Sequence, residues 1–146
     1  MTRYLLDTNI ISNAVKPSPS AALTEWMAEQ ADDSLFVASM TIAEIERGIL
    51  LLPHGRKRTM LEDWLSGPIG LLTLFDSRIL PFDGKAGLIW ARLMAEGRLV
   101  GQSRSPLDMV VAATAEAHSC IVVTDNERDF AGLGYINPLR QGTGAP

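Results

Sequence analysis

The sequence lacks the features of membrane-spanning, disulfide-stabilised and zinc-binding proteins. Its 146 residues include one cysteine, Cys120, which cannot form an intrachain disulfide or a cysteine-based zinc site and which we expect to pack as a small apolar residue. The longest nearly apolar stretch, 69–75, is far shorter than the roughly 18 residues of a membrane-spanning helix. No basic segment leads into a long apolar one near the start of the chain, so we expect a cytoplasmic protein.

An excess of positive charge is also absent. Thirteen lysine and arginine residues stand against 17 aspartate and glutamate residues, which gives a formal net charge of −4. This balance argues against broad, sequence-independent binding of nucleic acid, so we expect any such contact to be local. Two basic clusters, at 54–58 and 98–104, are present, and the first interpretation of each is a solvated surface segment.

What the sequence does contain is a series of short apolar clusters that fits one folded domain. Apolar residues make up 47% of the chain, and its length matches the size of a single domain. We predict that the domain covers residues 1–140 and that the glycine-rich segment 141–146 is a disordered tail.

The clusters alternate between predicted strands and predicted helices. Strands are expected at 4–6, 35–38 and 121–123, with an edge strand at 79–82, where Pro81 cannot donate to a ladder, and a last one around 135–136. Helices are expected between them, one capped by Thr41 and one by Ser105, with a loop at 97–105. Strands separated by helices cannot be joined as hairpins, so the fold class is α/β, with a mostly parallel central sheet and helices on both faces.

Acidic and amide side chains follow several of the predicted strands. Asp7 follows the first strand, Glu44 lies one helical turn after the second, and Asp125 and Asn126 follow the strand at 121–123. Asp108 occupies the first turn of a helix that must begin at the same edge of the sheet. In open α/β sheets the residues just beyond the carboxyl ends of the strands share one crevice, so we expect these side chains to lie together.

Each of these acids has a simpler interpretation on its own, as a helix cap or a partner of the helix dipole. Their joint placement indicates a bound cation, because carboxylates within about 4–6 Å of one another raise each other's pKa unless a cation lies among them. Oxygen ligands without histidine or cysteine suit Mg²⁺ or Mn²⁺. Such an ion activates water and screens phosphate charge, which predicts phosphodiester hydrolysis by a metal-activated water. We expect His54 and His118 to lie outside this site.

Five segments carry a family resemblance that covers nearly the whole chain. They are 6–12 (LDTNIIS), 41–48 (TIAEIERG), 79–83 (ILPFD), 106–115 (PLDMVVAATA) and 123–130 (VTDNERDF), the last followed by Asn137-Pro138. With these segments in this order and at these separations, the sequence resembles the PIN-domain nucleases, in particular the VapC-type toxins of bacterial toxin–antitoxin pairs in their FitB-like branch.

The resemblance implies a three-layer α/β/α sandwich and an endoribonuclease that depends on Mg²⁺ or Mn²⁺. It also implies a homodimer that is inhibited by a small antitoxin protein and that contacts operator DNA only through this antitoxin. Residue by residue, Asp7, Glu44 and Asp108 match the acids of the family. Asn9 and Thr124 match its supporting polar positions near the metal.

The fourth acidic position departs from the family pattern. Similar sequences carry Thr-Arg-Asp or Thr-Arg-Asn after this strand, whereas the residues here are Thr124, Asp125 and Asn126. Asp125, Asn126 and, one turn later, Asp129 are therefore all candidates to complete the site. The predicted catalytic residues are Asp7, Glu44, Asp108, Asp125 and Asn126, and the predicted metal ligands are Asp7, Glu44, Asp108 and Asp125.

Other interpretations stay open. Arg47, Arg98 and Arg104 are candidates for phosphate contact, and apolar residues between 50 and 65 could face the core, the antitoxin or a second subunit. A rival hypothesis is a non-catalytic, dimerising partner of a DNA-binding antitoxin in operator regulation. A phosphotransfer domain of receiver type is disfavoured, because Asp7 has no acidic neighbour and no lysine follows Thr124.

Overall fold

Five parallel strands form one sheet in the computed structural model, which describes residues 1–140. The strands are β1 (Tyr4–Leu6), β2 (Leu35–Ala38), β3 (Ile79–Leu80), β4 (Ile121–Val123) and β5 (Tyr135–Ile136), and their order is β3-β2-β1-β4-β5. Every neighbouring pair is parallel, and β3 lies at the edge that Pro81 requires. The predicted parallel sheet is confirmed. The tail predicted at 141–146 lies outside the described residues.

Seven α-helices connect and flank the strands. They are α1 (Thr8–Ala14), α2 (Ala21–Ala28), α3 (Ser39–Leu50), α4 (Arg56–Ser66), α5 (Leu71–Leu74), α6 (Gly84–Leu99) and α7 (Pro106–Ala117). Within residues 1–140, none of these helices is both long and apolar enough to cross a membrane.

The sheet is covered on both faces because successive strand residues point to opposite sides. In β1, Leu5 packs into an apolar cluster with residues of α6 and α7, such as Leu93 and Met109. The next residue, Leu6, packs into a second cluster with residues of the other helices, such as Ile45. These two clusters make the three layers of an α/β/α sandwich, with Asp7 as the first residue beyond the central strand.

The start of α3 differs from the predicted capping box. The helix begins at Ser39, directly after β2, so Thr41 lies inside its first turn and Ala38 occupies the N-cap position without a side-chain cap. Thr41 is fully buried, and its hydroxyl has no hydrogen-bond partner among the residues described. The prediction was wrong because the buried strand turns into the helix with no intervening polar residue at the cap.

The predicted loop at 97–105 is shorter than expected, because α6 continues to Leu99. Gly97 does not end the helix but lets another segment approach it. A Cβ atom at this position would lie 2.8 Å from Cδ of Arg104. The glycine is therefore needed for the close packing of the Arg104 side chain, and the connection between α6 and α7 is confined to residues 100–105.

The apolar residues between 50 and 65 divide into two groups. Leu61, Trp64 and Leu65 pack against the second cluster, as a core-facing helix requires. Leu50, Leu51 and Met60 are exposed.

A candidate metal centre at the carboxyl edge of the sheet

Asp7 is the buried centre of the candidate site. Its backbone N–H donates to the carbonyl of Val123 at 2.9 Å, which continues the ladder between β1 and β4 by one residue. Its side chain caps α1, because Oδ1 accepts from the backbone N–H of Thr8 at 2.9 Å. Asp7 is only 4% exposed, so a carboxylate sits almost without water at the start of a helix.

The second oxygen of Asp7 is held by two side chains from distant parts of the chain. Oδ2 accepts from the hydroxyl of Thr124 at 2.8 Å and from Nδ2 of Asn9 at 3.2 Å. Asn9 in turn accepts, through Oδ1, the backbone N–H of Asp125 at 2.9 Å. Asn9 and Thr124 thus occupy the supporting positions that the family resemblance implies, and they tie the end of β1 to the end of β4.

Asp108 approaches the same edge from the first turn of α7. The helix begins at Pro106 and is capped by Ser105, whose hydroxyl accepts the backbone N–H of Asp108 at 3.3 Å. Nδ2 of Asn126 donates to Oδ2 of Asp108 at 3.2 Å and to Oδ2 of Asp129 at 2.9 Å. One amide therefore holds two carboxyl groups side by side. Asp7, Asp108 and Asp129 are called the carboxylate cluster below.

The carboxylate cluster is electrostatically crowded. Burial raises the pKa of Asp7, and hydrogen bonds from Thr124, Thr8 and Asn9 only partly oppose this rise. The pKa of Asp108 rises from 3.8 to about 6, first through burial, then through a hydrogen bond with Asp129 and the negative charges of Asp7 and Asp129. In residues 1–140, no lysine or arginine forms a salt bridge with any of the three.

The other predicted site residues lie near the cluster with different partners. Oε1 of Glu44 accepts from the hydroxyl of Thr8 at 3.3 Å, which places Glu44 beside the residue that follows Asp7. Asp125 is exposed, and its Oδ1 accepts from Nδ2 of Asn137 at 3.0 Å. The structure thus brings Asp7, Asp108 and Asn126 together, joins Glu44 through Thr8, and turns the Asp125 carboxylate towards the end of β5.

Sequence reasoning gave no specific part to two residues that shape the site. Thr8 binds Glu44, and the buried Asn137 holds Asp125, whereas Ser105 caps the helix of Asp108 as predicted. Their sequence signal is weak but real, because each lies directly at a strand end or a helix start, where polar side chains satisfy free backbone or carboxylate groups.

The arginines that are candidates for phosphate contact differ in whether other groups of the protein already bind them. Nη1 of Arg104 donates to the carbonyl of Leu93 at 2.6 Å, so this guanidinium is held by the protein itself. Arg47 and Arg98 are exposed. His118 lies by the carbonyl of Pro81 and by Asp83, and it is not part of the carboxylate cluster.

The chemistry of these donors fits a hydrated divalent cation. Carboxylate, amide and hydroxyl oxygens are the ligands of hard cations. In residues 1–140 no group of three or more acidic, histidine or cysteine side chains is arranged to hold a metal ion on its own. Mg²⁺ tolerates such a site, since it usually keeps several waters and is bound through one or two carboxylates. Because the ionised carboxyl groups repel one another, a cation bound between them is electrostatically favourable.

The crowding predicts a pH-dependent stability in the absence of metal. The pKa of Asp108 is raised from 3.8 to about 6. The protonated Asp108 therefore contributes to folding stability fully below pH 3.8, and this contribution is lost as the pH rises through about 6. The full shift corresponds to about 3 kcal/mol, and solvent screening of this partly exposed carboxyl reduces the expected loss to about 1 kcal/mol. Urea unfolding in EDTA, at about pH 4 and about pH 7, should show this loss as a difference between the wild type and Asp108→Asn. An identical pH dependence of the two proteins would contradict the prediction.

Comparisons with known proteins show which family and fold this chain resembles. The PIN domain family matches residues 4–134. A VapC ribonuclease, Y4jK of Sinorhizobium fredii, is 37% identical over 136 residues, which cover 92% of this chain and 96% of the relative. The crystal structure of FitAcB from Neisseria gonorrhoeae superposes with a TM-score of 0.86 at 32% identity, covering 94% of this chain and 99% of that chain. A structure of FitAB bound to an IR36 DNA fragment gives a TM-score of 0.87 at 30% identity, covering 97% and 99%.

Proposed function

The chain belongs to the PIN domain family, and from this premise we propose that it is the endoribonuclease toxin of a toxin–antitoxin pair. A relative with 37% identity over nearly the whole length is named a VapC ribonuclease, which supports hydrolysis of RNA phosphodiester bonds. The observation that carries the proposal is the carboxylate cluster, in which Asp7, Asp108 and Asp129 converge from three separate segments.

A divalent cation fits this cluster, and we propose Mg²⁺, with Mn²⁺ as its substitute. Asp7 and Asp108 would hold the ion, with Glu44 reaching it directly or through water. The structure supports Asp129 as the completing acid more than Asp125, because Asp129 shares the amide of Asn126 with Asp108. When bound, the ion would supply an activated water and screen the charge of the scissile phosphate.

The surrounding residues keep the acids in position. Thr124 and Asn9 donate to one oxygen of Asp7, which leaves the carboxylate fixed and favours its charged form despite burial. Asn126 prevents Asp108 and Asp129 from rotating apart, and its own backbone N–H donates to the Thr124 hydroxyl at 2.9 Å. The site is therefore preorganised by short polar side chains rather than by salt bridges.

Removing the metal tests the proposal directly. Purified protein incubated with RNA should cleave it in Mg²⁺ and lose at least about a hundredfold in rate in EDTA, since the ion contributes several kcal/mol to the transition state. Excess Mg²⁺ or Mn²⁺ should restore the rate, and Ca²⁺, which takes a larger and looser oxygen shell, should restore less. Cleavage that persists undiminished in EDTA would contradict a metal-dependent activity.

A second role is supported by the solved relatives. FitB of Neisseria gonorrhoeae is named a toxin, and the FitAB structure is bound to a DNA fragment. We propose that this chain binds a small antitoxin, through which it reaches operator DNA. This role is compatible with catalysis, and it would stand alone if the free protein bound a metal ion yet cleaved no RNA. Homodimerisation stays a prediction.

A further inference from the structure

A polar cavity adjoins the carboxylate cluster and shares only Asp129 with it. Its volume is about 260 Å³. One wall comes from the connection between α6 and α7, and the other from the turn after β4; the lining residues are Gln102, Ser103, Arg104, Arg128, Asp129 and Ala131. Asp129 belongs to both the cavity and the carboxylate cluster, so the cavity adjoins the cluster.

Arg104 forms a fixed wall of this cavity. Its guanidinium donates to the Leu93 carbonyl and lies 3.9 Å from Oε2 of Glu96, and its stem packs against Gly97. The side chain is 15% exposed. Arg104 therefore shapes the cavity, while its Nη1 is already bound to the Leu93 carbonyl.

Arg128 is the free cation of the cavity. It is exposed, and among residues 1–140 its guanidinium makes no hydrogen bond or ion pair. The next residue in the chain is Asp129, whose carboxyl is turned towards Asn126 and Asp108 rather than towards Arg128. An unpaired guanidinium thus lines a cavity that Asp129 of the carboxylate cluster also lines, on a chain whose net charge is −4.

This arrangement suits an anion that approaches the carboxylate cluster from one side. A guanidinium binds phosphate through two parallel N–H groups, and the amide of Gln102 and the hydroxyl of Ser103 can form hydrogen bonds with a base or ribose. The volume lies just below the roughly 300–1,000 Å³ of pockets for small organic ligands, which fits one nucleotide unit rather than a folded RNA element.

We propose that this cavity is a nucleotide subsite for single-stranded RNA, in which Arg128 binds a phosphate next to the scissile one. The proposal rests on the proposed ribonuclease function and names the residue that aligns the strand across the carboxylate cluster. Arg128 is a substrate-binding residue that holds the strand, and the carboxylate cluster does the chemistry.

The test compares Arg128→Gln with Arg128→Lys and with Arg56→Gln as the matched control. Arg56 is an exposed arginine at the first position of α4. Binding of a short fluorescein-labelled single-stranded RNA is measured by anisotropy in EDTA at several salt concentrations, and steady-state cleavage is measured in Mg²⁺. Loss of one charged hydrogen-bonding contact should weaken RNA binding and raise KM about tenfold in Arg128→Gln, with little change in kcat.

The salt dependence separates a phosphate contact from a general loss of structure. The slope of log affinity against log salt should become shallower by about 0.7 in Arg128→Gln, and Arg128→Lys should keep most of the wild-type slope. Arg56→Gln should behave as the wild type. Equal RNA affinity, slope and KM in Arg128→Gln and Arg56→Gln would overturn the proposal.

Three further outcomes separate this proposal from a rival ligand and from the proposed function. If Arg128→Gln weakens binding of poly-glutamate but not of RNA, the cavity takes an acidic peptide and the nucleotide subsite is wrong. If the wild type binds RNA through Arg128 but does not cleave it in Mg²⁺, the ribonuclease function fails while the subsite stands. If the wild type cleaves RNA in Mg²⁺ and Arg128→Gln has an unaltered KM, the subsite fails while the ribonuclease function stands.

Discussion

Asp7→Asn is expected to lower the rate of RNA cleavage at least about a thousandfold, because the metal contributes several kcal/mol that depend on this ligand. Asparagine has nearly the same shape, so its Oδ1 can still cap α1 through the Thr8 N–H. What it lacks is the negative charge. The loss should therefore appear mainly in kcat and in metal affinity rather than in the fold.

The stability of Asp7→Asn should stay close to that of the wild type. The amide would meet two donors, Thr124 and Asn9, which costs about 1 kcal/mol for each poorly satisfied hydrogen bond. Burial raises the pKa of Asp7, so a negative charge is unfavourable at this position. Removing this charge offsets part of the cost. Thermal unfolding in EDTA will show whether the variant is folded.

Asp83→Asn is the matched control for this experiment. Asp83 also caps a helix after a strand, since its Oδ1 accepts the backbone N–H of Ala86 at 3.0 Å, but it lies outside the carboxylate cluster. Its substitution should leave cleavage at the wild-type rate. Full activity in a folded Asp7→Asn, measured beside this control, would remove Asp7 from the catalytic site.

Asp129→Asn and Asp125→Asn should differ strongly, and the comparison decides which acid completes the site. We expect Asp129→Asn to lower cleavage about a hundredfold, since residues that position metal ligands typically contribute 10–100-fold. Asp125→Asn should lower it by less than about tenfold, because the Asp125 carboxylate is bound by Asn137 and not by the amide of Asn126.

The same pair of variants has a second readout in the pH dependence of stability without metal. The pKa of Asp108 is raised first by burial and then by the hydrogen bond and the charge of Asp129. In urea unfolding in EDTA, Asp129→Asn should therefore shift the loss of stability that accompanies Asp108 ionisation to lower pH, whereas Asp125→Asn should leave it in place. A larger loss of cleavage in Asp125→Asn than in Asp129→Asn would restore the prediction made from the sequence.

The strand ends could be predicted from the sequence because their signals are local. The apolar run that stops at Asp7 and the Ser105-Pro106 start of α7 define where a strand ends and a helix begins. Parallel order then brings the two acids to one edge without any knowledge of contacts. For Thr124 only the family resemblance implied a position near the metal, and the structure has its hydroxyl 2.8 Å from Oδ2 of Asp7.

Side-chain direction after β4 could not be predicted in this way. Asp125, Asn126 and Asp129 share one turn, and which of them faces Asp108 depends on Asn9 and Asn137, which are far away in sequence. The helix start at Ser39 was missed for a related reason. Burial of the strand end, and not a polar cap at Thr41, determines where α3 begins.

The strand order has a consequence for synthesis of the protein. Asp7 emerges from the ribosome early, but its partners Thr124 and Val123 belong to β4, which is made near the end of translation. Until then β1 has no neighbouring strand on that side, and Asn126, which holds Asp108 and Asp129, is not in position. The hydrogen-bond network around Asp7 is therefore completed only when the last quarter of the polypeptide has folded into place.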